Sequence, residues 1–257
     1  MKKRLDLLLV ERGLAETRSQ AQALLLAGRI RGHSKAGEQV EASAELTVSP
    51  AAAFVSRGGQ KLAHALDALD VDVREASCLD LGASTGGFTD VLLQRGAARV
   101  IALDVGHGQL HERLRSDPRV TVLERVNARH LTDLPYPPEL ITCDVSFIGL
   151  ELALPPALTL AAPGWRALVL VKPQFEAGRA DAKGGVVRDP AVHRRVLERL
   201  SGQVGAWGAS VAGVVDSGLP GPKGNREFFL YLVPRQGADR ADDIGAWIDA
   251  AVGRPSA

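Results

Sequence analysis

Asp80-Leu81-Gly82-Ala83-Ser84-Thr85-Gly86-Gly87-Phe88 stands where an apolar run, Ser77–Leu81, gives way to a helical pattern that begins at Phe88. A strand that turns into a helix through glycines lets the backbone approach a ligand closely. It also leaves the N–H groups of the helix start free for anionic or polar atoms. The spacing is not G-x-G-x-x-G, because residue 84 is serine and the later glycines are Gly86 and Gly87. An acid near the strand end, Asp80, would repel a pyrophosphate but suits an ammonium such as that of a methionine moiety. Asp104 closes the next apolar run, 22 residues past Gly82. A carboxylate there can accept hydrogen bonds from both hydroxyls of a ribose. Together these features favour S-adenosylmethionine over NAD. The candidate cofactor site comprises Asp80, Gly82, Ala83, Ser84, Thr85, Gly86, Gly87, Phe88, Asp104, Val105, Asn127, Ala128 and Asp144.

Outward from this turn, strand and helix patterns alternate. Strands are predicted at Ser77–Leu81, Arg99–Asp104, Val120–Leu123, Leu140–Asp144, Ala167–Lys172, Ser210–Asp216 and Glu227–Val233. Helices are predicted at Lys61–Leu69, Phe88–Arg95, Gln109–Arg115, Gly149–Leu160, Ala191–Gln203 and Asp242–Val252. This alternation indicates a doubly wound α/β sheet. Only Ser217–Arg226 joins the last two strands, too short for a parallel crossover, so the final strand is expected to run antiparallel. The fold class expected is therefore α/β: a class I, Rossmann-like methyltransferase sheet of seven strands with its last strand antiparallel.

A different pattern precedes it. Leu5–Glu11 has helical spacing, and Thr17 is a candidate N-cap for a helix through Leu26 that ends at Ala27-Gly28. Arg29–Val40 reads as a strand, a turn and a return, and Leu46–Val48 as one more short strand. This is a small α+β domain over 1–49, followed by a linker over 50–56 and the larger domain over 57–257. The protein carries a net charge of +1, but eight Lys/Arg against three acids in the first 35 residues put +5 at the front. Such a basic module on a near-neutral protein suggests a polyanion partner. Its candidate RNA contacts are Lys2, Lys3, Arg4, Arg18, Arg29, Arg31 and Lys35, joined by Arg57. Aromatic content of 4% argues against a base-stacking platform as the main binding device.

Cys78 and Cys143 lie in apolar runs and read as core residues rather than a disulfide. No Cys/His cluster has metal-ligand spacing, and no metal is expected. The opening Met1-Lys2-Lys3-Arg4 and Leu7–Val10 fall short of a signal peptide, and no apolar stretch approaches about 18 residues. A cytoplasmic location without membrane contact is expected.

Four charged residues scattered in sequence should converge. Asp144 and Lys172 close the fourth and fifth strands, Glu227 begins the antiparallel last strand at that same edge, and Lys61 precedes the first strand. Two cations and two anions can be partly buried together where one pair alone would be costly. A lysine so held can align a hydroxyl nucleophile and favour its deprotonation, either as a neutral base or as a stabilising cation. From Pro173 to Pro190 the chain reads as a long loop, with Gly178, Gly184, Gly185, Arg179, Lys183 and Arg188, able to close over a polyanion.

At these residues the sequence resembles the FtsJ-type RNA 2′-O-methyltransferases and, within them, the TlyA family. The resemblance is carried by Ser56-Arg57-Gly58-Gly59-Gln60-Lys61-Leu62, Asp80–Asp90, Asp104–Leu110, Cys143–Ile148, Val171–Glu176 and Gly224–Phe228. The family's Lys-Asp-Lys-Glu tetrad falls on Lys61, Asp144, Lys172 and Glu227. The N-terminal segment is similar to the small S-four-like RNA-binding domain, through Arg18–Ala21 and Gly28-Arg29-Ile30. The resemblance implies S-adenosylmethionine as cofactor and ribosomal RNA or ribosomal subunits as partner, with cytidine 2′-hydroxyls as methyl acceptors. The short N-terminus leans toward large-subunit RNA, with the small subunit left open. Members are often labelled haemolysins, so a membrane-active protein is one alternative and a non-catalytic RNA-binding assembly factor another. A base methylase would instead need an Asn-Pro-Pro-Tyr-like motif or a catalytic cysteine, and Asp144-Val145-Ser146-Phe147 supplies neither.

Overall fold

The computed structural model describes residues 2–26, 29–33, 35–48, 53–178, 181–235 and 241–253. The chain divides into two units, Met1–Ala53 and Phe54–Ala257.

The first unit contains β1 (Lys2–Arg4), α1 (Leu5–Glu11), α2 (Arg18–Leu26) and β2 (Gln39–Glu41). Leu5, Leu8 and Leu9 of α1 and Ala21, Leu24 and Leu25 of α2 recur at helical spacing. They bury one stripe of each helix around Ile30, Val40 and Leu46. Thr17 caps α2, its Oγ1 accepting from the Gln20 N–H at 3.1 Å. Among the described residues, the hairpin expected over Arg29–Val40 is not found. β2 pairs instead with β1, antiparallel and with Lys3 opposite Val40, and Ile30 bridges Val48. Alternation shows that Val40 needs a buried side but not which backbone supplies the partner. Gly28 and Pro50–Ala52 lie outside the described residues.

The second unit runs α3 (Arg57–Ala68), β3 (Ser77–Leu81), α4 (Gly87–Gln94), β4 (Arg99–Asp104), α5 (Glu112–Arg115), β5 (Val120–Glu124), β6 (Leu140–Cys143), α6 (Leu150–Thr159), β7 (Arg166–Val171), α7 (Pro173–Glu176), α8 (Pro190–Gln203), β8 (Ala209–Asp216), β9 (Phe228–Pro234) and α9 (Ala241–Gly253). Phe54 and Val55, read from sequence as the end of a linker, pack against this unit's core. Seven strands order as β5-β4-β3-β6-β7-β9-β8. β9 runs antiparallel to both neighbours and inserts between β7 and β8.

Strand alternation splits the core in two. Leu79, Leu81, Ile101, Leu103, Val169 and Val171 face α6, α8 and α9. Cys78, Val100, Ala102, Leu168 and Leu170 face α3 and α4. Burial on both faces explains why the parallel strands read as continuous apolar runs. α3 starts four residues before the expected Lys61, which places Lys61 a full turn inside the helix. α5 is shorter than expected because His111, at ψ 137°, is its N-cap, the side chain accepting from Arg113 N–H, so the helix starts only at Glu112.

The stretch from Pro173 to Pro190 is not a free loop. It opens with α7, and the buried Val187 is held from two sides. Its N–H donates to Asn225 Oδ1 at 3.0 Å, and its carbonyl lies 3.1 Å from His193 Nε2. Asp189 caps α8 by accepting from Ala191 N–H, with Pro190 at the first helical position. Arg179 lies outside the described residues.

Candidate active site

Strand register brings the site together. Leu81 pairs with Cys143, so Gly82 and Asp144 follow side by side, and Asp144 N–H donates to the Leu81 carbonyl at 2.9 Å. Gly82 has φ +87°, and a Cβ there would lie 2.5 Å from the Asp144 carbonyl oxygen, so only glycine fits. Val171 pairs with Phe228, which sets Lys172 beside Glu227 although 55 residues separate them.

Two ion pairs result. Lys61 Nζ lies 2.5 Å from Glu227 Oε2, and both side chains are buried. Glu227 Oε1 accepts from Gln174 Nε2 at 3.3 Å and is crowded by Gly221, where a Cβ would come within 2.1 Å. Lys172 Nζ lies 2.5 Å from Asp144 Oδ1 and donates to Ser146 Oγ at 2.9 Å. Asp144 Oδ1 is buried without a hydrogen-bond partner among the described residues, so its closeness to Lys172 is a contact of charge. All four charged residues line one cavity of about 510 Å³, with Ser56, Arg57 and Gly58 at the start of α3 and Ala83, Thr85, Gly87 and Phe88 of the glycine turn.

A second cavity, of about 500 Å³, lies against the ends of β3, β4 and β5. It is lined by Asp104, Val105, Gln109, Asn127 and Ala128 among others, and shares Gly82, Ser84 and Asp144 with the first. Asp104 Oδ2 accepts from Ser84 N–H at 2.8 Å and Oδ1 from Gly106 N–H at 2.6 Å. These bonds fix the carboxylate at the cavity wall and leave each oxygen a further lone pair. Apolar walls from Leu103, Val126 and Ile148, with Asp104 and Asn127 as polar groups, fit an adenosine-sized ligand.

Two expected cofactor residues do not reach either cavity. Asp80 is fully buried. Its Oδ2 accepts from Thr89 N–H at 2.8 Å and Thr89 Oγ1 at 2.6 Å, and its Oδ1 from Thr142 Oγ1 at 3.2 Å. Asp80 therefore ties β3 to α4 and β6 rather than meeting an ammonium. Burial pushes its carboxyl up to about 7, against the lowering effect of the threonine hydrogen bonds. Gly86 takes φ +94° as the cap of α4, and a Cβ there would strike Leu114 and Leu110, so its role is packing.

The expected RNA contacts fall in both units. Arg57 is exposed at the rim of the first cavity and donates to the Pro220 carbonyl at 2.9 Å. In the first unit Lys2, Arg31 and Lys35 are exposed and Arg29 is half-buried. Lys3 pairs with Glu11 at 2.6 Å, and Arg4 and Arg18 both pair with Asp6. Sequence reasoning gave no role to Ser146, Gln174 or Gly221, which act through the two ion pairs. The signal available was their place beside Asp144, Lys172 and Glu227. Among the described residues no group of three or more His, Cys, Asp or Glu is placed to hold a metal ion.

Comparison with known proteins agrees with this fold. Residues 54–233 match the FtsJ-like methyltransferase family and residues 3–31 the S4 domain. A Bacillus subtilis protein named as a candidate rRNA methyltransferase, YqxC, is 47% identical over 240 residues, 90% of this chain and 85% of its own. The Mycobacterium tuberculosis 16S/23S rRNA (cytidine-2′-O)-methyltransferase TlyA is 46% identical over 247 residues, covering 93% and 91% of the two chains. Among solved structures, a Streptococcus thermophilus protein described as a candidate hemolysin superposes with a TM-score of 0.77 at 38% identity, covering 98% of this chain and 94% of that one.

Proposed function

This chain belongs to the family of FtsJ-like methyltransferases, and we propose that it methylates cytidine 2′-hydroxyls of ribosomal RNA with S-adenosylmethionine as donor. The observation that carries the reading is the pair of lysine–carboxylate contacts lining one cavity that adjoins, through Gly82, Ser84 and Asp144, the cavity at the strand ends. Asp104, Val105, Asn127 and Ala128 would hold the adenosine part of the cofactor, and the glycine turn its methionine end. When bound, the cofactor supplies an electrophilic methyl group.

The protein's own residues do the rest. A ribose hydroxyl is a weak nucleophile at neutral pH and must be aligned and relieved of its proton. Lys172 reaches the cavity, steadied by Asp144 and Ser146, and is placed to hold the 2′-oxygen and offset the charge that forms as its proton passes to solvent. Lys61 and Glu227 sit deeper and keep that wall polar, fixed and satisfied. The S4 domain would add sequence-independent grip on phosphate, and a ribosomal substrate would be met in the cytoplasm.

Incubation with methyl-labelled S-adenosylmethionine and ribosomal subunits, followed by nucleoside mapping, tests the reading. Label is expected in 2′-O-methylcytidine of ribosomal RNA. Label on a base, or in neither subunit, would overturn it.

A further inference from the structure

Asp6 opens the first turn of α1 beside Leu5, Leu8 and Leu9 and has 0% exposure. A carboxylate buried in so small a unit is costly unless every lone pair finds a partner. Its partners are unusual for a core residue. Oδ1 accepts from Arg4 Nε at 3.1 Å and from Leu7 N–H at 3.1 Å. Oδ2 accepts from Arg4 Nη2 at 3.1 Å, Arg18 Nε at 2.8 Å and Gln22 Nε2 at 3.2 Å. Arg4 ends β1, Arg18 begins α2, and Gln22 follows Arg18 by one helical turn. One anion thus gathers two cations from separate elements.

Both arginines remain open to solvent, with side chains 41% and 53% exposed. Arg18 gives Asp6 only its Nε–H, so neither of its terminal amino groups is taken up by the carboxylate. Arg4 gives its Nε–H and one Nη, leaving the other. A guanidinium whose plane is fixed by a carboxylate on one edge presents its remaining N–H groups in a set direction on the other. Arg4 in particular holds Asp6 well below the usual carboxylate range, so the anion persists at neutral pH.

We propose that Asp6 is a positioning residue that presets Arg4 and Arg18 as a two-pronged clamp for RNA phosphate. The inference rests on the ribosomal-RNA reading above and adds to it how the basic face is ordered. It runs against simple charge counting, in which an acid among arginines only weakens attraction for a polyanion.

That opposition makes it testable with the full chain and a fluorescently labelled helical fragment of ribosomal RNA, titrated at graded KCl concentrations. Asp6→Asn raises the net charge by one, yet it should weaken binding about 5- to 30-fold, as two ordered side chains regain their freedom. Arg18→Gln should then cost less in the Asp6→Asn background than in the wild type, because the two act as one unit. Equal or tighter binding by a folded Asp6→Asn protein would overturn the proposal. Should Asp6→Asn unfold the domain, Arg18→Lys reads the same geometry. It keeps the charge, but an ammonium cannot bridge Asp6 and phosphate with a rigid fork, so binding should again weaken, and undiminished affinity would overturn the clamp. An Arg4→Gln, Arg18→Gln protein that binds like the wild type would instead overturn the RNA-face reading itself.

Discussion

Asp80 lies under the glycine turn as a carboxyl with 0% exposure whose hydrogen-bond donors come from Thr89 and Thr142. Burial raises its folded-state pKa from 3.8 to about 7. Between these values the folded chain keeps a proton that the unfolded chain has lost. Stability therefore falls as pH rises from about 4 to about 7 and levels off above. A tenfold difference in proton affinity corresponds to about 1.4 kcal/mol, so at pH 8 the ionised group would lower stability by roughly 4 kcal/mol relative to pH 4.

Asp80→Asn removes the ionisation and keeps the shape. Its carbonyl oxygen can accept from Thr89, while its amide can face Thr142, whose hydroxyl also lies 3.4 Å from the Leu79 carbonyl. The variant should be more stable than the wild type at pH 8, by about 2 kcal/mol or more after some loss of hydrogen-bond strength. That advantage should shrink as pH falls toward 4.5. Urea unfolding followed by tryptophan fluorescence reads the right unit, because Trp165, Trp207 and Trp247 all lie within Phe54–Ala257. Taking the difference between variant and wild type cancels the other titrating groups. A difference that stays constant from pH 4.5 to 8 would refute the reasoning.

Three further outcomes are expected. Gly221→Ala places a Cβ 2.1 Å from Glu227 Oε1. Displacing that carboxylate should slow methyl transfer about 10- to 100-fold with cofactor affinity unchanged in titration calorimetry. Lys61→Met leaves Glu227 buried without its cation and should lower unfolding free energy by about 3–5 kcal/mol, whereas pairing it with Glu227→Leu should restore most of the loss in urea melts and leave both proteins inactive. Asp104→Ala should weaken cofactor binding by about 1–3 kcal/mol, measured by calorimetry, with the fold intact by circular dichroism.

The sheet was legible because a strand buried on both faces, as β3, β6 and β7 are, is an apolar run, and such runs alternate with helical periods. The short Ser217–Arg226 connection announced the antiparallel β9 for the same elementary reason, the reach of the chain. Asp144, Lys172 and Glu227 were legible because a charge at the end of an apolar strand must face the sheet edge. Asp80 was misread by that logic. It is the last residue but one of β3, so alternation turns it inward toward α4 rather than out to the edge. The β1–β2 pairing was hidden because three-residue strands carry no register signal and their partner lies far along the chain. Ser146 and Gly221 meet the ion pairs from loops and Gln174 from the one-turn helix α7, segments too short for any periodicity to point to them.

Single-turnover methylation of ribosomal RNA by Lys172→Ala, with cofactor affinity measured on the same preparation, tests the central claim most directly. Lys172 lines the first cavity beside Asp144 and does not itself line the second, which its partner Ser146 does. The rate should fall about 100-fold or more while cofactor binding stays nearly unchanged. Lys172→Arg should not restore it, since a guanidinium differs from an ammonium in shape and reach and would not hold the 2′-oxygen in the same place. A Lys172→Ala protein that methylates at near-normal rate would contradict the assignment of the Lys61, Asp144, Lys172 and Glu227 cavity as the place where the methyl group is transferred.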